Sequence, residues 1–220
     1  METRLTCDQC GQGSCEQMKL YVTPTSPYAR MARIVVLEKG LTDSVEIIAA
    51  QTRQVDSPYY DINPSGRVPY LVLSNGVGLE DSALICSYLD HLDSTPVITR
   101  PAMYENWDLA RLEMLTRSML DGLSVRGREL TRPTSEQSPT ILQHEAARAE
   151  RMADFWNVEI DDPLMREPFN MAQLTLIVTL TLAESSGNLL WREGRENLAA
   201  WVDQLATRPF IAATAPGKPI

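Results

Sequence analysis

Asn63-Pro64-Ser65-Gly66-Arg67-Val68-Pro69 ends on a proline that opens the apolar run Tyr70-Leu71-Val72-Leu73. Proline has no N–H to donate to a sheet ladder, so within a sheet it stands at the first residue of a strand, at an edge or at a bend. The run therefore predicts a strand that begins beside Pro69. The backbone of Val68 is then left outside the ladder, where a partner can bind it.

A hairpin and a helix follow this strand. Asn75-Gly76 predicts a two-residue turn because both residue types tolerate positive φ, and Val77-Gly78-Leu79 returns as the next strand. Asp81-Ser82 comes twelve residues after Pro69, at the entrance of an amphipathic helix predicted over Ser82–Leu92. This order places an acid and a hydroxyl at a helix N-terminus, close in sequence to the strand-opening proline.

The residues before this region predict a strand, a helix and a second strand. Lys19–Thr23 and Val45–Ala49 carry the strand signal, whereas Pro27–Lys39 has helical periodicity and stops at Gly40. Gln51–Tyr60 is polar and predicts a loop or a short helix. The order βαβ followed by ββα indicates one mixed sheet with helices packed on it, which is an α/β unit.

The second half of the chain has helical periodicity and almost no strand signal. Asp93–Thr99 has the composition of a linker and separates the two halves. Asn170 is positioned to cap a strongly apolar helix over Leu174–Leu182, with Gln173 completing a capping box. Two further helices are indicated by apolar residues that recur at helical spacing: Met103, Trp107, Ala110 and Met114, then Leu142, Ala146, Ala149, Ala153 and Trp156.

Composition bounds the classes of function. The chain has 220 residues, of which 44% are hydrophobic and 22% charged, as in ordinary globular proteins. Its formal net charge of -9 opposes binding to nucleic acid or to an anionic membrane. No apolar run reaches the roughly 18 residues that span a bilayer, and the N-terminus lacks the order of a secretion signal. These features predict a cytoplasmic protein.

Cysteines are concentrated near the N-terminus. Cys7, Cys10 and Cys15 precede the first strand, and Cys86 lies in an apolar helical segment, where a buried thiol is expected. A closed zinc site needs four ligands, and the only two histidines are far away in sequence. We therefore expect no metal and favour reading residues 1–17 as an N-terminal extension or an early translation start, with metal binding as the alternative.

Ser26-Pro27 opens the first predicted helix. Proline at the first helical position with serine as its cap directs backbone N–H groups and one hydroxyl to the same spot. Taken alone, this is the pattern of a plain N-cap. The strand-opening Pro69 and the pair Asp81-Ser82 change its meaning, because all three converge in a thioredoxin-like sheet.

These three motifs resemble those of the glutathione transferase family, and the resemblance extends from Met18 to about Pro216. Ser26-Pro27-Tyr28 is similar to the catalytic turn of the serine-type and cysteine-type classes. Val68-Pro69 resembles the backbone clamp with its cis proline, and Asp81-Ser82 the Glu-Ser pair that holds the γ-glutamyl end. Near the C-terminus, Asn197–Asp203 with Arg208-Pro209-Phe210 resembles the family's closing helix and turn.

The resemblance implies an architecture and a chemistry. It implies a thioredoxin-like glutathione-binding domain with a mixed four-stranded sheet over residues 18–93, then an all-α domain over 100–216. Glutathione is the implied co-substrate, with no metal, and the protein is implied to be a homodimer. The Ser26 hydroxyl is expected to donate a hydrogen bond to the thiolate, while Val68, Asp81 and Ser82 hold the peptide.

Further site residues are assigned by position. Arg67, beside the clamp, and Arg53 in the preceding loop are candidates for the glycyl carboxylate. The resemblance also implies that the second substrate binds in the cleft between the domains, near Tyr28, Tyr104, Trp107 and Arg111. Two residues depart from the family pattern: Asp81 where glutamate is more frequent, and Gln173 where the capping box usually carries aspartate.

The resulting hypothesis is a cytoplasmic transferase whose glutathione thiolate attacks a small, hydrophobic, electrophilic substrate. Two alternatives remain open. One is a non-catalytic binding or regulatory protein, similar to the stringent starvation protein, which keeps the fold without the chemistry. The other is a glutathione-dependent isomerase, dehalogenase or lyase, which shares the thiolate and differs only in the second substrate.

Overall fold

A computed structural model of the chain describes residues 17–98, 105–166 and 168–220. The predictions for Cys7, Cys10, Cys15 and Tyr104 lie outside these ranges, as does the N-terminal extension apart from Gln17. Within them, no helix combines the length and the hydropathy needed to cross a membrane. Cys86 is 1% exposed, which confirms its prediction as a buried thiol.

The first part of the chain forms one four-stranded sheet in the order β2-β1-β3-β4. Its strands are β1 (Met18–Val22), β2 (Val45–Ala49), β3 (Tyr70–Val72) and β4 (Gly78–Glu80). β1 is parallel to β2 and antiparallel to β3, and β3 is antiparallel to β4. The predicted mixed sheet is therefore confirmed, with β2 at its predicted bounds.

Among the described residues, three α-helices accompany the sheet and five follow it. They are α1 (Pro27–Glu38), α2 (Tyr59–Ile62), α3 (Ser82–Asp90), α4 (Trp107–Leu130), α5 (Pro139–Glu159), α6 (Met171–Ser185), α7 (Glu196–Ala206) and α8 (Pro209–Ala213). α6 is apolar on all sides and buried along its first ten residues, as expected of a helix at the centre of a core. α4 and α7 pack directly on α6, and α5 packs on both α4 and α7.

The turn between β3 and β4 differs from the predicted two-residue hairpin. The N–H of Leu73 donates to the carbonyl of Val77, and the N–H of Gly76 donates back to the carbonyl of Leu73. Three residues, Ser74 to Gly76, therefore form the loop, and of these only Gly76 has positive φ, at +84°. A three-residue loop that ends on a left-handed glycine is the next most common hairpin connection, and Asn75 does not need positive φ in it.

The apolar spacing found in the sequence at the start of α4 does not mark its buried face. Trp107 is 66% exposed and Met114 45% exposed, whereas Leu112 and Met119 are fully packed in the core. The helix is confirmed, but the periodicity of its first turns indicated the wrong side. The exposed residues lie on a stripe that continues through Arg117 to Asp121, which faces the first part of the chain.

The predicted capping box at α6 is only half formed. The Asn170 side chain accepts a hydrogen bond from the N–H of Gln173 at 3.1 Å, as predicted. The Gln173 amide does not return to the cap residue; it donates to the carbonyls of Leu164 at 3.2 Å and Pro168 at 3.3 Å. Gln173 therefore secures the loop that precedes α6.

Helix α1 joins the two parts of the chain. Arg30 is only 6% exposed, and its guanidinium donates to Thr181 in α6 at 2.6 Å, to the carbonyl of Ile211 in α8 at 3.2 Å and to Thr214 at 3.4 Å. Burial lowers the pKa of Arg30 to about 10, with a smaller effect from neighbouring Arg33. The same helix that flanks the sheet thus fixes the position of the C-terminal helices.

Candidate functional site

The register of the sheet brings the three sequence motifs to one edge. Tyr21 pairs with Tyr70, and Tyr70 pairs with Glu80. The end of β1, the start of β3 and the end of β4 therefore lie side by side. The residues that continue from these strand ends carry the Ser26 turn, the Val68-Pro69 peptide and the Asp81-Ser82 pair.

Ser26 is the N-cap of α1, as the sequence predicts. Its Oγ accepts a hydrogen bond from the N–H of Ala29 at 3.2 Å, and Pro27 occupies the first helical position. The side chain is partly exposed. Because the oxygen acts as an acceptor in the cap, the hydroxyl proton remains for a group that lies beyond the N-terminus of the helix. The helix dipole favours a negative charge at that point.

The Val68–Pro69 peptide is cis, as the resemblance implies. Among the described residues, the N–H and carbonyl of Val68 have no hydrogen-bond partner. The neighbouring carbonyl, that of Arg67, accepts from the Tyr59 hydroxyl at 2.5 Å and from the Asn63 amide at 3.0 Å. Two side chains thus fix the backbone directly before Val68, whose own polar groups remain available to a ligand.

The two arginines near the clamp are both exposed. Arg67 follows Gly66, whose φ of +65° and close packing on Tyr60 require a glycine: an added Cβ would lie 2.7 Å from the Tyr60 ring. Arg53 has a φ of +60° in the loop after β2. The structure pairs neither guanidinium with a carboxylate among the described residues, so both are available to an anionic ligand.

Asp81 and Ser82 form the entrance of α3. One carboxylate oxygen of Asp81 accepts from the N–H groups of Ala83 at 2.8 Å and Leu84 at 3.2 Å, which makes Asp81 the N-cap. Its φ of +81° is unusual for a residue with a side chain and costs of order 1–3 kcal/mol. Strain of this kind persists where the surroundings impose it, often at binding sites.

Sequence reasoning missed Arg117, which reaches this pair from α4. Its guanidinium donates to the second carboxylate oxygen of Asp81 at 3.0 Å and lies 3.4 Å from the Ser82 hydroxyl. Burial alone would raise the pKa of Asp81, but the N–H of Leu84 and the Arg117 guanidinium outweigh burial and hold that pKa below its usual value. The helical spacing of Met114, Arg117 and Asp121 indicates that they share one face of a helix. No local pattern shows that this face lies near the start of α3.

Tyr28 connects the first motif to the same arginine. The Arg117 guanidinium lies 5.1 Å from the centre of the Tyr28 ring, within the range of a cation–π contact. The Tyr28 hydroxyl donates to Asp121 of α4 at 2.5 Å. Burial, followed by the hydrogen bond to Asp121, raises the pKa of Tyr28 to about 12. The tyrosine is therefore neutral at physiological pH and its proton is already engaged.

The remaining candidates for the second-substrate wall lie on α4. Trp107 stands exposed at its N-terminus, while the Arg111 guanidinium donates to Glu159 of α5 at 3.1 Å. Arg111 thus contributes to the contact between two helices, and Trp107 offers a free aromatic surface. In the described parts of the chain, no three or more His, Cys, Asp or Glu side chains are grouped to hold a metal ion.

Comparisons with known proteins show the family to which this chain is related. A sequence profile of the glutathione S-transferase N-terminal domain matches residues 25–92. The uncharacterized GST-like protein YibF of Escherichia coli K12 is 29% identical over 209 residues, which cover 91% of this chain and 100% of YibF. A probable glutathione transferase of Aplysia californica is 32% identical over 72 residues, which cover 33% of this chain and 75% of that protein.

A solved structure matches along almost the whole chain. It is a glutathione transferase family member from Pseudomonas fluorescens Pf-5 with bound glutathione, 28% identical, with a TM-score of 0.81 over 93% of this chain and 100% of that one. The expected thioredoxin-like first domain and helical second part are confirmed by this match. Sequence profile, relatives and fold agree: the chain belongs to the glutathione transferase family.

Proposed function

We propose that this protein is a glutathione transferase that activates the thiol of glutathione with Ser26 for attack on a small electrophile. The observation that carries the proposal is the position of the Ser26 hydroxyl at the N-terminus of α1, where its oxygen is used by Ala29 and its proton is not. A thiolate at this helix end would accept that proton as a hydrogen bond. Serine need not ionise in this role.

The hydroxyl of Tyr28, near the same helix end, is unsuited to the task. Tyr28 donates its proton to Asp121, and its pKa is raised to about 12 by burial and by that hydrogen bond. Redirecting the hydroxyl to a sulfur would leave the Asp121 carboxylate without this donor. Ser26 is therefore the better supported hydrogen-bond donor to the thiolate.

The available interactions are large enough for the proposed activation. Lowering the pKa of a thiol from about 8.5 to about 6.5 makes thiolate the major form at neutral pH and requires about 2.7 kcal/mol. A helix N-terminus contributes about 0.3 to 2 kcal/mol to a nearby negative charge. A hydrogen bond to a charged group contributes about 1.5 to 3 kcal/mol. The two effects together cover the requirement.

The rest of glutathione follows the edge of the sheet. The unpaired backbone groups of Val68 suit the cysteinyl residue, since two antiparallel hydrogen bonds can form there. Asp81 and Ser82 at the start of α3 suit the γ-glutamyl end, which carries an ammonium and a carboxylate. Arg67 or Arg53 suits the glycyl carboxylate at the opposite end.

A conjugate as the product is supported by a neighbour. The Pseudomonas fluorescens family member was also solved with S-(propanoic acid)-glutathione, at a TM-score of 0.78 and 28% identity to this chain. In that molecule the glutathione sulfur carries a carbon substituent, as the product of thiolate attack on an electrophilic carbon would. We expect the substrate of this protein to meet the thiolate near Tyr28 and the exposed face of α4.

The homodimer and the cytoplasmic location remain parts of the proposal. Large apolar side chains are exposed on α3 and in the turn before β4: Leu84 is 50% exposed and Val77 is 51% exposed. Burying these side chains between two copies would remove them from water. Sedimentation equilibrium tests this part, and a monomer at all concentrations would contradict it.

The pH dependence of bound glutathione tests the activation. The ultraviolet absorbance of the thiolate, titrated in the complex, should show a thiol pKa well below the free value of about 8.5. Ser26→Ala should move that pKa back towards the free value while glutathione binds nearly as before. A bound thiol that titrates as in free glutathione would instead support the non-catalytic alternative.

A further inference from the structure

The entrance of α3 is already occupied by a charged group of the protein itself. Arg117 pairs with Asp81 at 3.0 Å and lies 3.4 Å from the Ser82 hydroxyl. Ser82 is 2% exposed, so a ligand cannot reach its hydroxyl without displacing the atoms above it. Arg117 is one of the groups that must move or take part in binding.

The guanidinium of Arg117 is only partly satisfied in this arrangement. Its Nε is buried and has no hydrogen-bond partner among the described residues, although the Asp121 carboxylate lies 3.4 Å away. A guanidinium offers five N–H donors in a planar fork that matches a carboxylate. The Asp81 contact uses one carboxylate oxygen, since the other caps α3. The fork therefore has donors left for a second anion.

The amide groups of α3 point to the same place. The Asp81 side chain uses the N–H groups of Ala83 and Leu84, and its carbonyl uses that of Ile85. The N–H of Ser82 has no partner among the described residues. A helix N-terminus with an unused N–H favours an anion. The ligand's negative end would then lie between Ser82 and Arg117.

We propose that Arg117 binds the α-carboxylate of the γ-glutamyl residue of glutathione. The Asp81 carboxylate then exchanges its partner, leaving Arg117 and pairing with the neighbouring ammonium of the ligand. This inference rests on the proposed function, because it assigns one end of the same ligand. In the free protein Arg117 and Asp81 pair with each other, and in the complex each of them pairs with one charge of the ligand. The zwitterion inserts between the two partners, so neither charge of the protein is left unpaired on binding.

Exchange of ion pairs makes the site selective for a zwitterion. A peptide without the α-carboxylate offers no anion to Arg117. A peptide without the α-amine offers no cation to Asp81. An unpaired charge at a partly buried position is costly, so each loss should weaken binding. Two peptides test the two halves separately: γ-aminobutyryl-cysteinylglycine keeps only the amine, and glutaryl-cysteinylglycine keeps only the carboxylate.

Titration calorimetry of these peptides and glutathione tests the assignment. The unmodified protein should bind glutathione about tenfold to a hundredfold more tightly than either analogue. The Arg117→Gln variant should lose affinity for glutathione by a similar factor. Its affinity for γ-aminobutyryl-cysteinylglycine should not change, because that peptide lacks the group that Arg117 binds. Asp81→Asn should lose affinity for glutathione and nothing for glutaryl-cysteinylglycine. An equal loss for all three peptides in Arg117→Gln, or no loss for glutathione, overturns the proposal.

Arg148→Gln is a matched control. Arg148 also bridges two helices by contacting a carboxylate and a serine, Glu145 at 3.4 Å and Ser118 at 2.8 Å, but these partners all lie within α4 and α5. The affinities of the Arg148→Gln variant for the three peptides should differ from those of the unmodified protein by less than about threefold. If Arg117→Gln fails to fold, Arg117→Lys replaces it, since lysine keeps the charge but lacks the fork. A ratio of glutathione to γ-aminobutyryl affinity that is unchanged in Arg117→Lys overturns the proposal.

The outcomes separate this inference from the proposed function. An unmodified protein that binds glutathione, with Arg117→Gln unaffected, overturns the role of Arg117 alone. If the unmodified protein binds glutathione without lowering the pKa of its thiol, the proposed role of Ser26 is overturned. The comparison of peptide affinities then still tests the role of Arg117. Absence of any glutathione binding overturns both.

Discussion

The hydroxyl of Tyr28 donates to the carboxylate of Asp121 at 2.5 Å, and this hydrogen bond joins the first turn of α1 to α4. Tyr28 lies two residues from Ser26, but this contact engages its hydroxyl proton. In the proposed complex, that proton is therefore not available to the ligand's thiol. The contact also holds the helical part of the chain against the turn that carries the serine. Two predictions concern this tyrosine.

Tyr28→Phe should leave the thiol pKa of bound glutathione unchanged. The phenol proton is engaged by Asp121, so its removal takes no donor away from the sulfur. Thermal stability should fall by about 0.5 to 1.5 kcal/mol, the net contribution of a hydrogen bond. Thiolate absorbance against pH checks the first part, with Ser26→Ala as the contrasting variant. A large upward change in the thiol pKa of Tyr28→Phe would transfer the role to the tyrosine.

The protein should lose stability in alkaline solution above pH 10. Burial and other neighbours raise the pKa values of Tyr28 and Tyr59 from 10.0 to about 12. A group whose pKa is raised on folding contributes stability that is present below its unfolded pKa of 10.0 and is lost as the pH rises towards 12. Denaturant unfolding at a series of alkaline pH values measures this loss. The double variant Tyr28→Phe, Tyr59→Phe should show a shallower decline, and an identical slope would contradict the assignment.

Ser26→Cys should turn the site towards disulfide chemistry. A thiol at a helix N-terminus has a lowered pKa and is more readily ionised. Its thiolate can attack the disulfide of oxidised glutathione, forming a mixed disulfide with the introduced side chain and releasing one glutathione thiol. Intact mass spectrometry should detect one bound glutathione that a reductant removes. The unmodified protein, with Cys86 buried and the same N-terminal cysteines, is the control, and equal labelling of both proteins would contradict the prediction.

Gln173→Glu distinguishes the observed role of this residue from a capping box. In a capping box glutamate performs as well as glutamine. Here the amide donates to the carbonyls of Leu164 and Pro168, so a carboxylate would lose both donors and face two acceptors. We expect the free energy of unfolding to fall by about 1 to 3 kcal/mol. Chemical denaturation measures it, and an unchanged or increased stability would restore the capping box.

Arg30→Ala should destabilise the protein strongly although no carboxylate pairs with the residue among those described. The change removes the Arg30 donor from the carbonyl of Ile211, which keeps only the hydrogen bond from the Thr214 hydroxyl at 3.3 Å, and opens space beneath α6 and α8. A loss of about 2 to 4 kcal/mol is expected from the lost hydrogen bonds and the cavity. Arg166→Ala, at an exposed pair with Asp161, should change stability by less than about 1 kcal/mol. Similar values for the two variants would refute the structural role of Arg30.

Local signals predicted the elements that local physics controls. β2 has its predicted bounds, and the caps Ser26 and Asn170 accept the expected backbone N–H groups. Proline at the first residue of a strand and serine before proline restrict the backbone over a few residues only, so the sequence is enough to recognise them. The cis form of the Val68–Pro69 peptide, in contrast, is expected only from the family resemblance.

Features that depend on how helices meet could not be predicted. Trp107 and Met114 have the spacing of a buried face but lie on an exposed one, because α4 is packed by its other side. Gln173 has the position of a capping residue, yet two carbonyls of the preceding loop compete for its amide. Arg117 binds a partner that is distant in sequence, and only the position of α4 in the folded chain brings the two side chains together.

The buried guanidinium of Arg30 has a consequence for protein engineering. Residues 18–93 look like an exchangeable module, but α1 carries a cation whose hydrogen-bond acceptors, Thr181, Ile211 and Thr214, belong to the other part. A chimera that combined this first part with a helical part lacking Thr181 and Thr214 would bury the cation with fewer acceptors and should be less stable. Recombination between family members should therefore preserve stability best when α1 and its acceptors in α6 and α8 are inherited together.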